Sequence, residues 1–397
     1  MSMPNTDAVA SDAGPSRQFE IYVGGMMAGQ KPAVPVDIYE LERQAKAKMP
    51  AEAFAYIAGS AGIETTAAAN RSAFDKWQIL PRMLRGVAKR STAIELFGHR
   101  YSSPILLGPI GVQEMVHPEA DRATARAAAS MRVPYVFSNQ ASVSMEECSK
   151  VMGDSPRWFQ LYWGKDDRLV ASLAKRAEAC GCQALVVTLD TTILGWRTRD
   201  LDVTYLPFLI GKGIAQYTSD PFFRSLLEKP PEEDMMSASQ LFIRIYSEPG
   251  LTWDRLDFLR QQTKLPILLK GITHPDDARL AVEYGMDGIV VSNHGGRQVD
   301  GAISSLEALP MCVDAISGRI PVLFDSGVRG GADVFKALAL GAKGVLLGRP
   351  YAYGLTVAGQ QGVEEVIKNF LADFDLTMAL AGCRNIGEIT RESIRSI

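Results

Sequence analysis

The feature that most constrains this chain is a repeated alternation. Short apolar runs occupy 104–107 (PILL), 133–137 (VPYVF), 158–161 (WFQL), 184–189 (ALVVTL), 266–269 (PILL), 287–291 (DGIVV), 321–324 (PVLF) and 344–347 (GVLL). Continuous runs of that length suit strands buried on both faces. Helical patterns lie between them, for example at 117–130, 166–180, 274–284 and 330–341. Strands and helices alternating in this way over about 250 residues predict a (β/α)8 TIM barrel. A doubly wound open sheet is the competitor, but no G-x-G-x-x-G opens a helix after a strand.

A barrel gathers its chemistry in the loops that follow the strands. Those positions read Gly108-Pro-Ile-Gly111, Ser138-Asn-Gln140, Gln160-Leu-Tyr162 and Thr188-Leu-Asp190, then Lys270-Gly271, Ser292-Asn-His-Gly-Gly-Arg297, Asp325-Ser-Gly327 and Gly348-Arg349. Polar residues or glycines recur after every run, which packing alone does not require.

The flanks are read separately. Residues 1–35, rich in Ser, Ala, Asp, Gly and Pro, are expected to be a flexible arm. A helical segment follows, with Asp37 as N-cap, and residues 36–397 form a single barrel domain. The connection after the fourth strand is long, about 205–251. Tyr205, Phe208, Phe222, Phe223 and Phe242 make it too apolar for a solvated linker, so a mobile lid is expected.

Composition narrows the function. A net charge of −3 gives no electrostatic case for nucleic acid or an anionic membrane. No apolar run reaches membrane-spanning length and no signal peptide opens the chain. The five cysteines are sparse and read as reduced thiols of a cytoplasmic protein. His117 and His274 precede prolines at helix starts and read as caps, while His99 reads as surface. That leaves His294, without a second ligand at metal spacing, so no metal is expected.

His294 can move a proton near neutral pH, and Arg297 can grip a carboxylate in two-pronged fashion. Taken alone, their segment is also compatible with a Gly-rich turn and a solvated arginine. Gly327-Val-Arg-Gly-Gly331 and Gly348-Arg-Pro350 sit where such barrels hold phosphate, with Arg329 and Arg349 adding charge. Lys270, at the end of a buried strand, could be a Schiff-base nucleophile or a cation beside a cofactor that becomes negative. Asp190 could orient an imidazole across the mouth.

Ser292-Asn-His-Gly-Gly-Arg-Gln298 resembles the active-site signature of FMN-dependent α-hydroxy-acid oxidases and dehydrogenases, and the resemblance runs from about residue 36 to the C-terminus. It implies FMN as cofactor, a small 2-hydroxy acid and O2 as partners, and a homotetramer. His294 would be the base at the substrate α-carbon, with Asp190 stabilising its protonated form. Arg297, Arg197 and Tyr56 would hold the carboxylate, with Tyr162 beside the hydroxyl. Lys270 would sit near flavin N1. Pro109, Ile110, Gly111, Ser138, Gln160, Thr188 and Ser292 would line the ring system. Asp325, Ser326, Gly327, Arg329, Gly348 and Arg349 would hold the ribityl phosphate.

Within the family, Asp190-Thr-Thr-Ile-Leu-Gly-Trp-Arg-Thr-Arg-Asp-Leu201 and Arg349-Pro-Tyr-Ala-Tyr353 resemble lactate 2-monooxygenases. Two positions depart from the wider family. Gln140 stands where glycolate oxidases carry a pocket tryptophan, and Ile63 where an acidic residue often follows the Gly-rich turn. The resemblance therefore implies oxidation of L-lactate to acetate, CO2 and water. An oxidase releasing pyruvate and H2O2, or a quinone-linked dehydrogenase, is the alternative. From the residues alone, a barrel aldolase or isomerase using Lys270, or a binding protein without turnover, would be the other classes.

Overall fold

A computed structural model describes residues 12–397. Each apolar run falls on a strand: β1 (Ile105–Leu107), β2 (Tyr135–Phe137), β3 (Arg157–Leu161), β4 (Leu185–Thr188), β5 (Ile267–Ile272), β6 (Gly288–Val291), β7 (Val322–Phe324) and β8 (Gly344–Leu347). They pair in parallel in chain order, and β8 returns to β1 with Val345 opposite Ile105, closing the barrel. The predicted architecture is the one found.

Side chains alternate across a strand, so each strand sends one residue inward and its neighbours outward to the helices. The inward set is Leu106, Val136, Trp158, Val186, Leu268, Val290, Leu323 and Leu346, which form one cluster separate from the larger core outside the barrel. A short antiparallel hairpin, Ile94–Leu96 with His99–Tyr101, adds Ile94, Leu96 and Tyr101 to that inner cluster. The indole N–H of Trp158 donates to the Tyr101 hydroxyl at 3.2 Å, so the plug is keyed as well as greasy. It closes the N-terminal mouth.

Four local expectations concern caps and surface. Asp37 caps the helix Ile38–Lys48 by accepting from the N–H groups of Tyr39 and Glu40. His274 does the same for Pro275–Glu283; His117 instead sits in the turn before the helix Ala120–Ser130, whose N-cap is Glu119, and accepts the Glu119 N–H at 3.2 Å. His99 is exposed.

One expectation needs correction. Residues 1–11 of the expected arm lie outside the described residues, but Ala13–Ala28 is a helix packed on the C-terminal helix Arg349–Leu380. Gly14 donates its N–H to Asp375 at 3.0 Å, and the buried Arg17 pairs with Glu365 and donates to Asn369 at 3.0 Å. Composition misleads here because every one of those partners lies at the opposite end of the chain. The 205–251 connection, expected to be a lid, is largely helical. It carries Pro207–Ile210, Ala215–Thr218, Pro221–Ser225 and Met235–Ile245 as short helices. Their aromatics pack on one another within the larger core outside the barrel, Tyr217 lying 4.7 Å from Phe242 and 5.7 Å from Phe223 between ring centroids. Asp220 caps one of these helices and is ion-paired to Arg176 at 2.9 Å, which ties the insertion to the barrel. Among the described residues no helix is long and apolar enough to cross a membrane.

Candidate active site

The chemistry of the C-terminal mouth follows from the pleat. Two residues beyond each inward apolar side chain, the same face of the strand is presented again. Those positions are Gly108, Ser138, Gln160, Thr188, Lys270, Ser292, Asp325 and Gly348. An apolar layer is thus followed directly by a layer of polar groups and glycines, and one cleft opens above it. The cleft is lined by Tyr56, Pro109, Ile110, Gly111, Ser138, Gln140, Tyr162, Thr188, Arg197, Lys270, His294, Arg297, Asp325, Ser326, Gly327, Arg329, Gly348 and Arg349. Asp190, Gln160 and Ser292 stand behind this lining.

Lys270 is buried and donates to the Ser292 hydroxyl at 2.9 Å, with Asp325 at 3.1 Å. Burial alone would push its pKa down, but the Asp325 and Asp190 carboxylates outweigh burial and hold it above the ordinary lysine value. It is a fixed cation. A lysine nucleophile needs the opposite shift.

Across the mouth, His294 Nδ1 lies 2.8 Å from Asp190 Oδ1. Burial pushes the imidazole below its ordinary value, against the pull of Asp190, and Lys270 and Arg197 oppose its protonation further. Burial would raise Asp190, yet His294 and Lys270 keep it ionised. With carboxylate and neutral imidazole, the Nδ1 proton lies in their hydrogen bond and the lone pair is left on Nε2. Gly271 follows Lys270 at φ 103°, and a Cβ there would come within 2.8 Å of the Asp190 side chain. The glycine therefore lets the carboxylate approach.

The His294 loop is held from below by the helix Thr65–Ser72. Asn70 and Asn293 exchange two hydrogen bonds, 2.7 and 2.8 Å, between their carboxamides. Asp300 accepts from the N–H groups of Ile63 and Thr66 and from the Thr65 hydroxyl. The Thr65 bond and these amides hold the Asp300 carboxyl down at about 2. Next to Ile63, the carboxylate of this turn comes from Glu64, which accepts the Ser60 N–H at 2.8 Å and pairs with Arg199.

Cations crowd the opposite wall. Arg297 donates to the carbonyls of Tyr56 and Gly59 and lies over the Tyr56 ring at 5.1 Å. Arg197 donates to the Arg297 carbonyl and to Gln298. Burial first, then Arg197 and Arg349, push the Arg297 pKa down to about 9. An arginine does not give up its proton in a protein, so this is a measure of uncompensated positive charge. Among the described residues neither Arg197 nor Arg297 is ion-paired. The wall calls for an anion.

At the far end, Ser326 and Gly327 take φ of 89° and 82°. A Cβ on Gly327 would run into the Asn70 carbonyl, so this turn needs its glycine. The helix Gly331–Ala339 begins with Gly330 and no cap from that residue; the Gly331 N–H donates to the Asp373 carboxylate and the Asp333 N–H to the Gly330 carbonyl. Arg349 is fixed by the carbonyls of Ile57, Gly59 and Gly295.

The FMN-dependent dehydrogenase profile matches residues 45–396. This chain belongs to that family. It is 45% identical over 385 residues to the FMN-dependent alpha-hydroxy acid dehydrogenase qulF of Penicillium citrinum, covering 96% of each chain. It is 44% identical over 363 residues to an L-lactate oxidase of Lysinibacillus sphaericus, covering 91% of this chain and 92% of that one. The crystal structure of Mandelate oxidase superposes with a TM-score of 0.80 at 38% identity, covering 92% of this chain and 99% of that one. FMN is therefore the cofactor of this family member. Two buried polar atoms fit it: Gln160 Nε2 and Thr188 Oγ1 find no hydrogen-bond partner among the described residues, and a flavin ring edge offers both N–H and C=O.

Several site residues escaped sequence reasoning. Thr191, whose hydroxyl lies 3.2 Å from both Asp190 Oδ1 and His294 Nδ1, is signalled only by its place beside Asp190. Asn70 carries no signal, since its partner is distant in sequence. Leu194, Leu206, Phe208, Ile243 and Tyr246 roof the cleft, four of them from the insertion.

Proposed function

We propose that this chain oxidises a small L-2-hydroxy acid with dioxygen as acceptor, and that L-lactate is a substrate. The observation that carries the reading is the pairing of an oriented base with an unpaired guanidinium wall. Arg197 and Arg297 take the substrate carboxylate, with the Tyr56 hydroxyl beside them, and this fixes the α-carbon relative to His294. His294 Nε2 removes the proton, and Asp190 stabilises the imidazolium that results. Tyr162, whose pKa burial raises, stays protonated as a hydrogen-bond donor to the substrate hydroxyl. Pro109, Ile110, Gly111, Ser138, Gln160, Thr188 and Ser292 would hold the FMN ring system, with Lys270 as the fixed cation beside it. Asp325, Ser326, Gly327, Arg329, Gly348 and Arg349 hold its ribityl phosphate. Held there, FMN would supply the two-electron oxidation of the substrate and a route for those electrons to dioxygen, giving hydrogen peroxide.

What leaves the cleft depends on its roof. Pyruvate that departs first gives oxidase stoichiometry, pyruvate plus peroxide. Pyruvate kept beside the peroxide is decarboxylated, giving acetate, CO2 and water. The helical roof from 205–251 and the Asp190–Leu201 stretch support retention, hence a lactate 2-monooxygenase. The L-lactate oxidase relatives support release as the second reading. Aerobic turnover of L-lactate, assayed for acetate and peroxide together, separates them. Stoichiometric peroxide with pyruvate overturns the monooxygenase reading, and no bleaching of the cofactor by L-lactate under anaerobic conditions overturns the hydroxy-acid reading itself.

A further inference from the structure

The stretch Ser292–Gln298 ends in a residue that the mechanism above does not use. Gln298 stands outside the cleft lining, yet its carboxamide makes four hydrogen bonds, the full capacity of such a group. Oε1 accepts from Arg197 Nη2 at 2.8 Å and from the Gly195 N–H at 3.4 Å. Nε2 donates to the carbonyls of Asp190 at 2.6 Å and Ile193 at 2.9 Å. The partners themselves decide which end is oxygen, because a guanidinium offers only donors and a carbonyl only acceptors. The two segments also abut: a Cβ on Gly195 would lie 2.6 Å from the Gln298 carbonyl and 2.7 Å from the Arg297 carbonyl.

The two sides of this hub serve different parts of the reaction. Arg197 belongs to the wall that takes the substrate carboxylate, while Asp190 holds His294 Nδ1 at 2.8 Å. The distance from the substrate α-carbon to His294 Nε2 depends on both positions, and a misplacement of ~1 Å can cost ~10²-fold in rate. Only a carboxamide of this length satisfies both sides. Glutamate lacks the donors, lysine lacks the acceptor, and asparagine is one methylene short. A glutamate would also pair with Arg197 and cancel the charge that the substrate carboxylate needs. Gln298 holds the guanidinium and leaves it positive.

We propose that Gln298 is a positioning residue that keeps the carboxylate clamp in register with the general base while leaving Arg197 uncompensated. The proposal rests on the hydroxy-acid reading of the cleft. Gln298→Glu and Gln298→Met keep the length of the side chain and separate its two duties. With the holoenzyme, a calorimetric Kd for pyruvate reports the clamp, and the limiting rate of anaerobic reduction by L-lactate reports the base. In Gln298→Glu the guanidinium is held but neutralised, so Kd should rise by ~10–100-fold, the range one hydrogen bond to a charged group supplies. In Gln298→Met the charge stays free, and Kd should rise by less than ~10-fold. Both variants release the Asp190 carbonyl, so the limiting rate should fall by ~10–100-fold in each. A general loosening of the fold would weaken pyruvate binding alike in both, so equal Kd values overturn the proposal. A wild-type limiting rate in Gln298→Met does the same. Should Gln298→Glu not bind FMN, Gln298→Met decides alone: slow reduction with near-wild-type pyruvate affinity supports the proposal, and the reverse overturns it. Normal reduction of the wild type and both variants removes the proposal only, whereas reduction of the wild type by no 2-hydroxy acid removes the hydroxy-acid reading with it.

Discussion

The two mouths of the barrel are built by the same strands and have opposite character. At the N-terminal mouth Trp158, Leu268 and Val290 meet the hairpin residues Leu96 and Tyr101 in a dry plug. Two residues further along those strands and along β4, Gln160, Lys270, Ser292 and Thr188 form a polar ring in which Gln160 Nε2 and Thr188 Oγ1 are orphaned. One step of the pleat separates a region where packing is complete from one where it is left incomplete for a ligand. Stability and chemistry should therefore separate by position along a strand, and mutation can test that.

The largest effect is expected at the upper mouth. His294→Gln should keep FMN and lose turnover by ~10²–10⁴-fold, the usual weight of a positioned acid–base group. Stopped-flow anaerobic bleaching by L-lactate measures it. Near-normal bleaching at saturating substrate would remove His294 from its role. Trp158→Ala, at the lower mouth, is the mirror experiment. It should cost about 3–5 kcal/mol of stability while the folded protein keeps its kcat. A variant that unfolds normally yet turns over slowly would break the separation.

What was legible in the sequence divides along similar lines. The strands were, because burial on both faces writes a continuous apolar run at each of them. The polar ring was, because the pleat fixes where the run must stop. The role of Ala13–Ala28 was not, since its contacts, Gly14 with Asp375 and Arg17 with Asn369, join opposite ends of the chain. The Asn70–Asn293 exchange was hidden for the same reason. In the insertion, Phe208 and Phe242 announced burial but not the helices that achieve it, because a cluster of a few aromatics has no period to read.

A smaller effect concerns how the base is set. Burial keeps His294 below its ordinary value near 6.5, so the acid limb of kcat/KM should lie below that pH. Asp190 favours the charged imidazole, and removing its charge should move the limb lower still. Asp190→Asn should therefore show a limb displaced to more acid pH, with a rate lowered by roughly 10–100-fold through lost orientation. A limb that moves up instead would mean the carboxylate does not govern the imidazole.

The smallest effect separates the mouths by pH. The inner plug is held by apolar packing, whereas the His294 loop is tied to Ile63, Thr65 and Thr66 through Asp300. The Asp300 carboxyl is held near 2, below its ordinary 3.8. A depressed carboxyl stabilises fully above its ordinary value, and that stabilisation is lost as pH falls from there through about 2. On acidification the upper mouth should loosen first, so FMN should leave, with its fluorescence rising, before far-UV dichroism reports loss of the barrel. In Asp300→Asn the carboxylate is absent at every pH. FMN release should then begin at higher pH and lose its dependence on the window between 3.8 and 2. Coincident release and unfolding in both proteins would show that the two mouths melt as one unit.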